Sequence, residues 1–334
     1  YLRSLYQATG EFNLYSKALN FEKIGIFFLT FLFLLCLNNY NYKTYIIIQI
    51  FMGIFVSIYL LYKLNQNFSL LSKINFNYHI IYQNIHSGII LMLGNFSSGL
   101  FTGLDRWFVK ILMQSTHFAF YSFSSSLLNL LNAFITPITI SLYNFFCKNK
   151  DLKQIKIIKK AVLVWGLLLI GGAYPVKYII LNYLEKYDET IDLIFILFAS
   201  QCFIAIIQGI YVNLYKSQKK QGIYFKQMLF MLVIGFISNI LFYLGNKTMN
   251  SFAYATLFTY IVWFILCEFT NKSYRYNISD YLIIIILMCL YLYTGLYLNP
   301  FIGGCIYYLT YLITMIIFFP DVIRLLKKYI LNYF

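Results

Sequence analysis

Long apolar blocks dominate this chain, and short polar segments separate them. The blocks are about 17 to 25 residues long, which is the length of an α-helix that crosses a bilayer. Only 11% of the residues are charged, whereas a soluble domain carries about 25%. The sequence therefore predicts an all-α fold, a polytopic membrane helix bundle with about ten transmembrane helices. The predicted spans are 22–37, 44–62, 87–108, 117–146, 159–182, 190–213, 226–244, 250–269, 281–297 and 301–319.

The basic residues indicate how the bundle is oriented. Cytoplasmic loops of membrane proteins carry an excess of Lys and Arg. An even number of spans places both ends on one side, and we take the following segments as cytoplasmic: 1–23, 63–86, 147–160, 214–226, 270–280 and 320–334. These segments hold 20 of the 26 Lys and Arg residues. The net charge of +15 is thus a topology signal, and we expect no nucleic-acid partner because no basic run alternates with an aromatic platform.

Signs of catalysis or metal binding are lacking. The three histidines and six cysteines are scattered, and no zinc-protease motif, nucleophile elbow or phosphate-binding glycine loop occurs. Among the eleven acidic residues, we expect Asp105 alone at appreciable depth. Paired carboxylates for acid–base chemistry are hard to assemble from that set. We therefore predict that the protein is not an enzyme and holds neither a metal nor a cofactor.

A polar stripe runs along the third predicted span. Its members recur at helical intervals: Asn95, Ser98, Thr102 and Asp105. Arg106 and Lys110 are four residues apart and so share a helix face. Ionisable residues within a bilayer are costly and usually functional, so this helix is predicted to line a water-filled, cation-rich cavity of a transporter. The alternative is an interfacial helix end, where both cations reach headgroups and the hydroxyls bond a neighbouring helix.

A second polar stripe follows on the fourth predicted span. It consists of Ser122, Ser125, Asn129, Asn132 and Thr136. Pro137 comes next and is expected to kink or loosen the helix. Two antiparallel helices joined by the short turn near 114–117 can direct both stripes toward one cavity, with hydrogen bonding between helices as the alternative. Elsewhere, Gly99 and Gly103 form a GxxxG pair typical of close helix packing, and Gly171–Gly172 interrupts the fifth span.

Three segments resemble a known family. The run GLDRWFVKILMQSTHFAFYSFSSSLLNLLNAFITPITISLY, residues 103–143, resembles the start of the second half of Wzx-type polysaccharide flippases. These are the O-antigen and teichoic-acid exporters of the multidrug/oligosaccharidyl-lipid/polysaccharide superfamily. Asp105-Arg106 matches the pair that ends the family's seventh helix, and Tyr121-Ser122 matches the pair that opens its eighth. Residues 1–35 resemble the family's connection from the fourth to the fifth helix, and Tyr187 fits the start of the tenth.

The resemblance implies a domain organisation. The ten spans would be helices 5 to 14 of a two-lobed flippase, so that the family's earlier helices would precede Tyr1. The chain would contain its second half and part of its first lobe. The implied parts are the remainder of the N-terminal lobe (1–62), a cytoplasmic amphipathic connector (63–86), the C-terminal lobe (87–270) and two additional transmembrane helices with a basic tail (271–334).

The resemblance also implies a function. Two helix bundles would rock about a cavity in the bacterial cytoplasmic (inner) membrane and flip an undecaprenyl-pyrophosphate-linked oligosaccharide for O-antigen, lipopolysaccharide or similar surface polysaccharides. The implied partners are this lipid-linked oligosaccharide, membrane lipids and the polysaccharide polymerase machinery. Asp105 is the ion-coupling candidate, for a proton or sodium ion, unless it only holds Arg106 or a neighbour. The substrate-binding candidates are Arg106, Lys110, Asn95, Ser98, Thr102, Ser125, Asn129 and Asn132.

Other functions fit the same pattern of spans. A multidrug or lipid II exporter of the same superfamily would share the topology, although a cavity for cationic drugs should be acidic. A membrane glycan polymerase or ligase would need a long external loop with Arg and His, which the sequence lacks. A scaffold membrane protein would use the polar stripes for packing alone.

Overall fold

The structure, a computed structural model, describes residues 6, 12–36, 42–68, 78, 85, 97, 99–149 and 151–324. Within this part of the chain there are helices and no strands, so the predicted all-α fold is confirmed. Seven of the described helices are long and apolar enough to cross a membrane: Tyr42–Gln66, Ser115–Lys148, Glu185–Ser217, Gly222–Gly245, Met249–Thr270, Ile278–Tyr297 and Pro300–Phe318. The protein is therefore a polytopic bundle of membrane-spanning helices.

The helices are numbered in chain order. They are α1 Phe12–Cys36, α2 Tyr42–Phe68, α3 99–112, α4 Ser115–Lys148, α5 Leu152–Ile170, α6 Ala173–Tyr183, α7 Ile191–Ile206, α8 Asn213–Ser217, α9 Gln221–Gly245, α10 Met249–Thr270, α11 Ile278–Tyr297 and α12 Pro300–Phe318. A π-helical segment, Ile207–Val212, joins α7 to α8. Half of the predicted span 87–108 lies outside the described residues, and its described part is helical from residue 99. The total of ten spans stays a prediction.

The chain forms two compact units, residues 1–87 and 88–334. In the first unit, α1 packs against α2, and the Tyr6 hydroxyl donates a hydrogen bond to the carbonyl of Leu60 over 2.7 Å. Helix α2 continues to Phe68, past the predicted start of the connector at residue 63. The predicted amphipathic helix lies largely outside the described residues, so it remains a prediction.

Helix α7 is the centre of the second unit. Every residue from Ile191 to Ile206 is buried except Asp192. Helices α4, α5, α10 and α11 all pack against it. A helix that is apolar around its whole circumference needs such a surrounding layer. The second unit is thus built around one helix that its neighbours cover on all sides.

The last two helices belong to this same unit. A Cβ atom placed on Gly303 of α12 would lie 2.7 Å from the backbone carbonyl oxygen of Thr294 in α11. A Cβ atom on Gly295 of α11 would lie 2.1 Å from the ring of Phe195 in α7. Such positions accept only glycine without rearrangement, because small residues let helix backbones approach closely. The pair α11–α12 is therefore tightly docked against α6 and α7.

The helix break expected at Gly171–Gly172 is present. Helix α5 ends at Ile170 and α6 begins at Ala173. The Gly171 amide donates to the Leu168 carbonyl over 3.2 Å, so the Leu167 carbonyl does not receive the bond of a continuing α-helix. Free carbonyls are costly within a bilayer. The buried Tyr307 hydroxyl of α12 donates to this carbonyl over 2.6 Å. A side chain from another helix thus satisfies the carbonyl that the helix break leaves without a backbone donor.

Removing that hydroxyl should be measurable. We expect Tyr307→Phe to lower the free energy of unfolding by about 1–2 kcal/mol, because the Leu167 carbonyl is left without a donor. Tyr311→Phe is the matched control, since Tyr311 donates over 3.1 Å to the carbonyl of Val164, which lies inside α5. Removing the Tyr311 hydroxyl should lower the free energy of unfolding by less than removing the Tyr307 hydroxyl. Unfolding in mixed micelles with increasing SDS measures both, and equal losses would contradict the explanation.

The second unit also buries charged side chains outside the predicted polar stripes. Glu268 and Asp280 are 4% and 3% exposed, and they lie in the last turn of α10 and the first turn of α11. The Glu268 carboxylate pairs with the Lys159 ammonium over 2.5 Å. It also accepts hydrogen bonds from the Tyr211 hydroxyl, from the Tyr281 hydroxyl over 2.6 Å and from the Tyr276 amide over 3.2 Å.

These residues are called the Glu268 cluster: Lys159, Tyr211, Glu268, Tyr276 and Tyr281. They come from α5, the π-helical segment, α10, the α10–α11 loop and α11. The Lys159 ammonium also lies 3.7 Å from the centre of the Tyr276 ring, a cation–π contact. In the sequence, Lys159 falls where the cytoplasmic segment 147–160 overlaps the predicted span 159–182. The cluster ties four helical segments and a loop together.

Candidate functional site

A polar cavity of about 410 Å³ lies inside the second unit. Its size falls at the lower end of the range for small-molecule sites, about 300–1,000 Å³. The cavity is lined by Gly99, Thr102, Gly103, Asp105, Arg106, Ser125, Leu128, Asn129, Asn132, Leu197, Ser200, Gln201, Ile204, Gln208, Thr256 and Tyr260. These residues come from α3, α4, α7, the π-helical segment and α10.

The two polar stripes meet in this cavity. Six of the predicted residues line it: Thr102, Asp105, Arg106, Ser125, Asn129 and Asn132. The geometry follows from the short turn at Met113–Gln114, which reverses the chain between α3 and α4. Polar residues at intervals of three and four then face the same side of each helix. Ser122 and Thr136 belong to the second stripe but are not among the lining residues.

Asp105 is held by three hydrogen bonds. One carboxylate oxygen accepts from the Tyr121 hydroxyl over 2.6 Å and from the Thr256 hydroxyl over 3.3 Å. The other accepts from the Arg106 amide over 2.8 Å. Asp105 is 9% exposed. The carboxylate therefore connects α3 to α4 and α10 at the edge of the cavity, and these contacts satisfy most of its hydrogen-bonding capacity.

Arg106 is half-buried and differs from Asp105, because its guanidinium group has no hydrogen-bond partner among the described residues and acts on the neighbouring carboxylate only through longer-range electrostatic attraction. Among the residues that the structure describes, none forms a hydrogen bond or ion pair with this group. A guanidinium presents five N–H donors in a planar fork. A free fork in a partly enclosed, polar cavity is suited to a bound anion with two oxygens in one plane, such as a carboxylate.

Lys110 lies outside the cavity lining. Its side chain is exposed, and the ammonium lies 5.5 Å from the centre of the Trp107 ring. The cavity thus has one cation, Arg106, among its lining residues, where the sequence predicted a cation-rich surface. Asn95 and Ser98, the first two members of the first stripe, fall outside the described residues. Their candidate roles stay predictions.

Other lining residues were missed or assigned less weight. Thr256 and Tyr260 come from α10, and their sequence context is an ordinary apolar block. Gln201 is 4% exposed, and its side-chain carbonyl oxygen has no hydrogen-bond partner among the described residues. A buried amide oxygen without a partner is uncommon and costly. Gln208, seven residues further along the chain, also lines the cavity.

The two glycines of the GxxxG pair line the cavity. Among the described residues, a Cβ atom at Gly99 would meet nothing within 4 Å, and at Gly103 it would meet only the Trp107 side chain of its own helix. Close packing of another helix at this pair stays a prediction. The missing side chains of both glycines leave room beside Arg106.

The π-helical segment lies between the cavity and the Glu268 cluster. Gln208 lines the cavity, and Tyr211 donates to the Glu268 carboxylate. Both residues belong to Ile207–Val212. π-Helical turns are rare in proteins, and those that are present frequently lie at functional sites. The segment links the two polar regions of the second unit through the backbone.

Comparison of the chain with protein-family models, with curated proteins and with solved structures finds no match. Metal chemistry also lacks support in the described part of the chain, where no three His, Cys, Asp or Glu side chains approach each other as ligands would. The arrangement can bind a hydrated, polar molecule with an anionic group. Amides, hydroxyls and one free guanidinium supply the contacts.

Proposed function

We propose that the protein flips an undecaprenyl-pyrophosphate-linked oligosaccharide across the bacterial cytoplasmic membrane during surface polysaccharide synthesis. The observation that supports this most is the free Arg106 guanidinium in a polar cavity inside a bundle of apolar helices. Ionisable residues are kept in such a place when they serve a substrate or ion pathway. The resemblance of residues 103–143 to polysaccharide flippases gives the class of cargo.

The cavity chemistry suits a glycan. Sugar hydroxyls both donate and accept hydrogen bonds, as do the side chains of Ser125, Asn129, Asn132 and Gln201. The glycan would cross through this polar space while the lipid tail stays in the membrane. Alternating access of two helix bundles would expose the site to each face in turn. Both ends of the chain would lie on the cytoplasmic side, in accordance with the distribution of Lys and Arg.

Asp105 remains the candidate for coupling to a proton or sodium ion. Its three hydrogen bonds also fit the alternative, in which it fixes the helix that carries Arg106. An exporter of cationic drugs is less well supported, because Arg106 would repel such a drug and the Asp105 carboxylate is already engaged in hydrogen bonds. A lipid II exporter of the same superfamily would differ in cargo only. We propose that the protein is a transporter and not a polymerase or ligase.

Arg106 provides the test. In cells that lack the native gene, Arg106→Gln should reduce surface polysaccharide by about 10-fold or more, because a charge-assisted hydrogen bond is worth about 1.5–3 kcal/mol. Lys110→Gln is the matched control: it removes the same charge one turn away, outside the cavity, and should leave export unchanged. Surface polysaccharide and the amount of membrane-inserted protein are measured together.

The leaflet that holds the lipid-linked glycan separates the remaining functions. Deleting the gene should leave single repeat units facing the cytoplasm. Normal export with Arg106→Gln would contradict the proposed role of the cavity. Units that reach the outer leaflet but stay unpolymerised or unligated would indicate an enzyme that acts after translocation. If substitutions along both polar stripes lower the stability of the protein but leave export normal, a scaffold function would be favoured.

A further inference from the structure

The charges of the cavity restrict the anion that it can hold. Among its lining residues, Arg106 is the one cation and Asp105 the one carboxylate, so their formal charges cancel. Lys110, which the sequence placed beside Arg106, lies outside. A pyrophosphate carries several negative charges and needs more than one cation or a set of backbone amides to balance them. It would also face repulsion from Asp105. A single negative charge matches this cavity better.

The planar geometry of the Arg106 guanidinium group also favours a carboxylate. The guanidinium fork can bind both oxygens of a carboxylate in one plane. Gly99 and Gly103 have no side chains on the same stretch of α3, so the approach to Arg106 is open. A carboxylate bound there would add one negative charge to a neutral site. Arg106 is half-buried, so water screens its attraction for that carboxylate less than in bulk solvent.

The rest of the lining fits a sugar ring. Gln201 is buried, and its side-chain oxygen lacks a partner in the described part of the chain, so it can accept from a ligand hydroxyl. Asn129 and Asn132 add amides from α4, one turn apart. Tyr260 is 6% exposed, and Phe101 and Trp263 hold its ring at centroid distances of 5.3 and 6.2 Å. A fixed aromatic side chain beside amide groups is suited to binding a sugar, because a sugar ring has a polar edge and an apolar face.

We propose that this cavity binds a sugar unit that bears a single carboxylate, that is, a uronic acid unit of the glycan, and not the pyrophosphate of the lipid carrier. The inference rests on the proposed function and specifies which part of the cargo the second unit recognises. Arg106 binds the carboxylate, and Gln201 and Asn132 bind ring hydroxyls. The pyrophosphate is held elsewhere. Selectivity for acidic glycans then comes from one residue.

The experiment uses two cargoes that differ in one group. Short-chain polyprenyl-pyrophosphate disaccharides, one ending in glucuronic acid and one in glucose, are incorporated into proteoliposomes with the purified full-length protein. The rate at which each glycan becomes accessible on the opposite leaflet is measured for the wild type, Arg106→Gln and Lys110→Gln. In parallel, ligand-observed NMR measures binding of methyl glucuronoside, methyl glucoside and inorganic pyrophosphate to each detergent-purified protein.

We expect Arg106→Gln to slow the acidic cargo by about 10-fold or more, because it loses a charge-assisted bidentate contact, and to leave the neutral cargo nearly unchanged. Methyl glucuronoside should bind the wild type and Lys110→Gln but not Arg106→Gln, and pyrophosphate should not compete. If Arg106→Gln slows both cargoes equally, or if pyrophosphate displaces the glucuronoside, the uronic acid site is refuted while the flippase function stands.

The remaining outcomes separate the two proposals. If neither cargo moves, yet methyl glucuronoside binds in an Arg106-dependent manner, the flippase function is refuted and the uronic acid site stands. If neither cargo moves and no glucuronoside binds, both are refuted. If the wild type moves both cargoes and Arg106→Gln changes neither rate, the cavity has no role in glycan recognition.

Discussion

Replacing Glu268 by leucine should lower the free energy of unfolding by about 3–5 kcal/mol, the usual cost of leaving one member of a buried ion pair without its partner. Lys159 is 1% exposed, so its ammonium cannot reach water once the carboxylate is gone. The Tyr211 and Tyr281 hydroxyls would lose their acceptor at the same time. Unfolding of the purified protein in mixed micelles with increasing SDS measures the loss.

The double variant Lys159→Met/Glu268→Leu is the control for this effect. Replacing both members of a buried pair by apolar residues of similar volume is often neutral or stabilising. We therefore expect the double variant to recover most of the stability that Glu268→Leu loses. A double variant as unstable as the single one would show that the loss comes from packing. Wild-type stability of Glu268→Leu would refute the burial of the pair.

The second large effect is expected at Gly295. In Gly295→Ala the new methyl group would lie 2.1 Å from the Phe195 ring. That ring is fully buried, and Tyr174 and Tyr291 each hold it at a centroid distance of 5.3 Å. It has no room to move, so overpacking should cost about 3 kcal/mol, the upper end of the usual range. The same SDS unfolding assay measures the change.

Gly222→Ala is the matched control for Gly295→Ala. Gly222 is also a helical glycine, in α9, and a Cβ atom there would meet nothing within 4 Å. The substitution should leave stability unchanged or raise it by less than about 1 kcal/mol, because alanine favours the helix. Similar losses in the two variants would mean that α11 does not approach α7 as closely as described.

Much of this architecture is encoded in short-range patterns. The length of each apolar block predicts a spanning helix, because the bilayer fixes the length of the segment. The intervals of three and four residues predict that Thr102 and Asp105 share a face, as do Ser125 and Asn129. The short link between α3 and α4 makes them antiparallel neighbours. These features depend on residues close together in the chain, so a single sequence contains them.

The features that were missed depend on distant segments. Lys159 and Glu268 are 109 residues apart, and nothing local indicates that their helices meet at these two residues. Thr256 and Tyr260 enter the cavity only because α10 packs beside α3 and α7. Whether Lys110 faces the cavity is set by a rotation of α3, which the spacing of polar residues defines only approximately. Tertiary packing decides each of these cases.

Complete burial of α7 has a consequence for how the protein is made. Translation proceeds from the N-terminus, so Ile191–Ile206 emerges before the helices Met249–Thr270 and Ile278–Tyr297 that later cover two of its sides. Until those helices have been synthesised, these sides face lipid. A polar residue there would be satisfied in the finished protein but not during insertion. Apart from Asp192, Ser200 and Gln201, this helix is apolar, and that composition meets the needs of an earlier stage, when the nascent chain is only partly assembled.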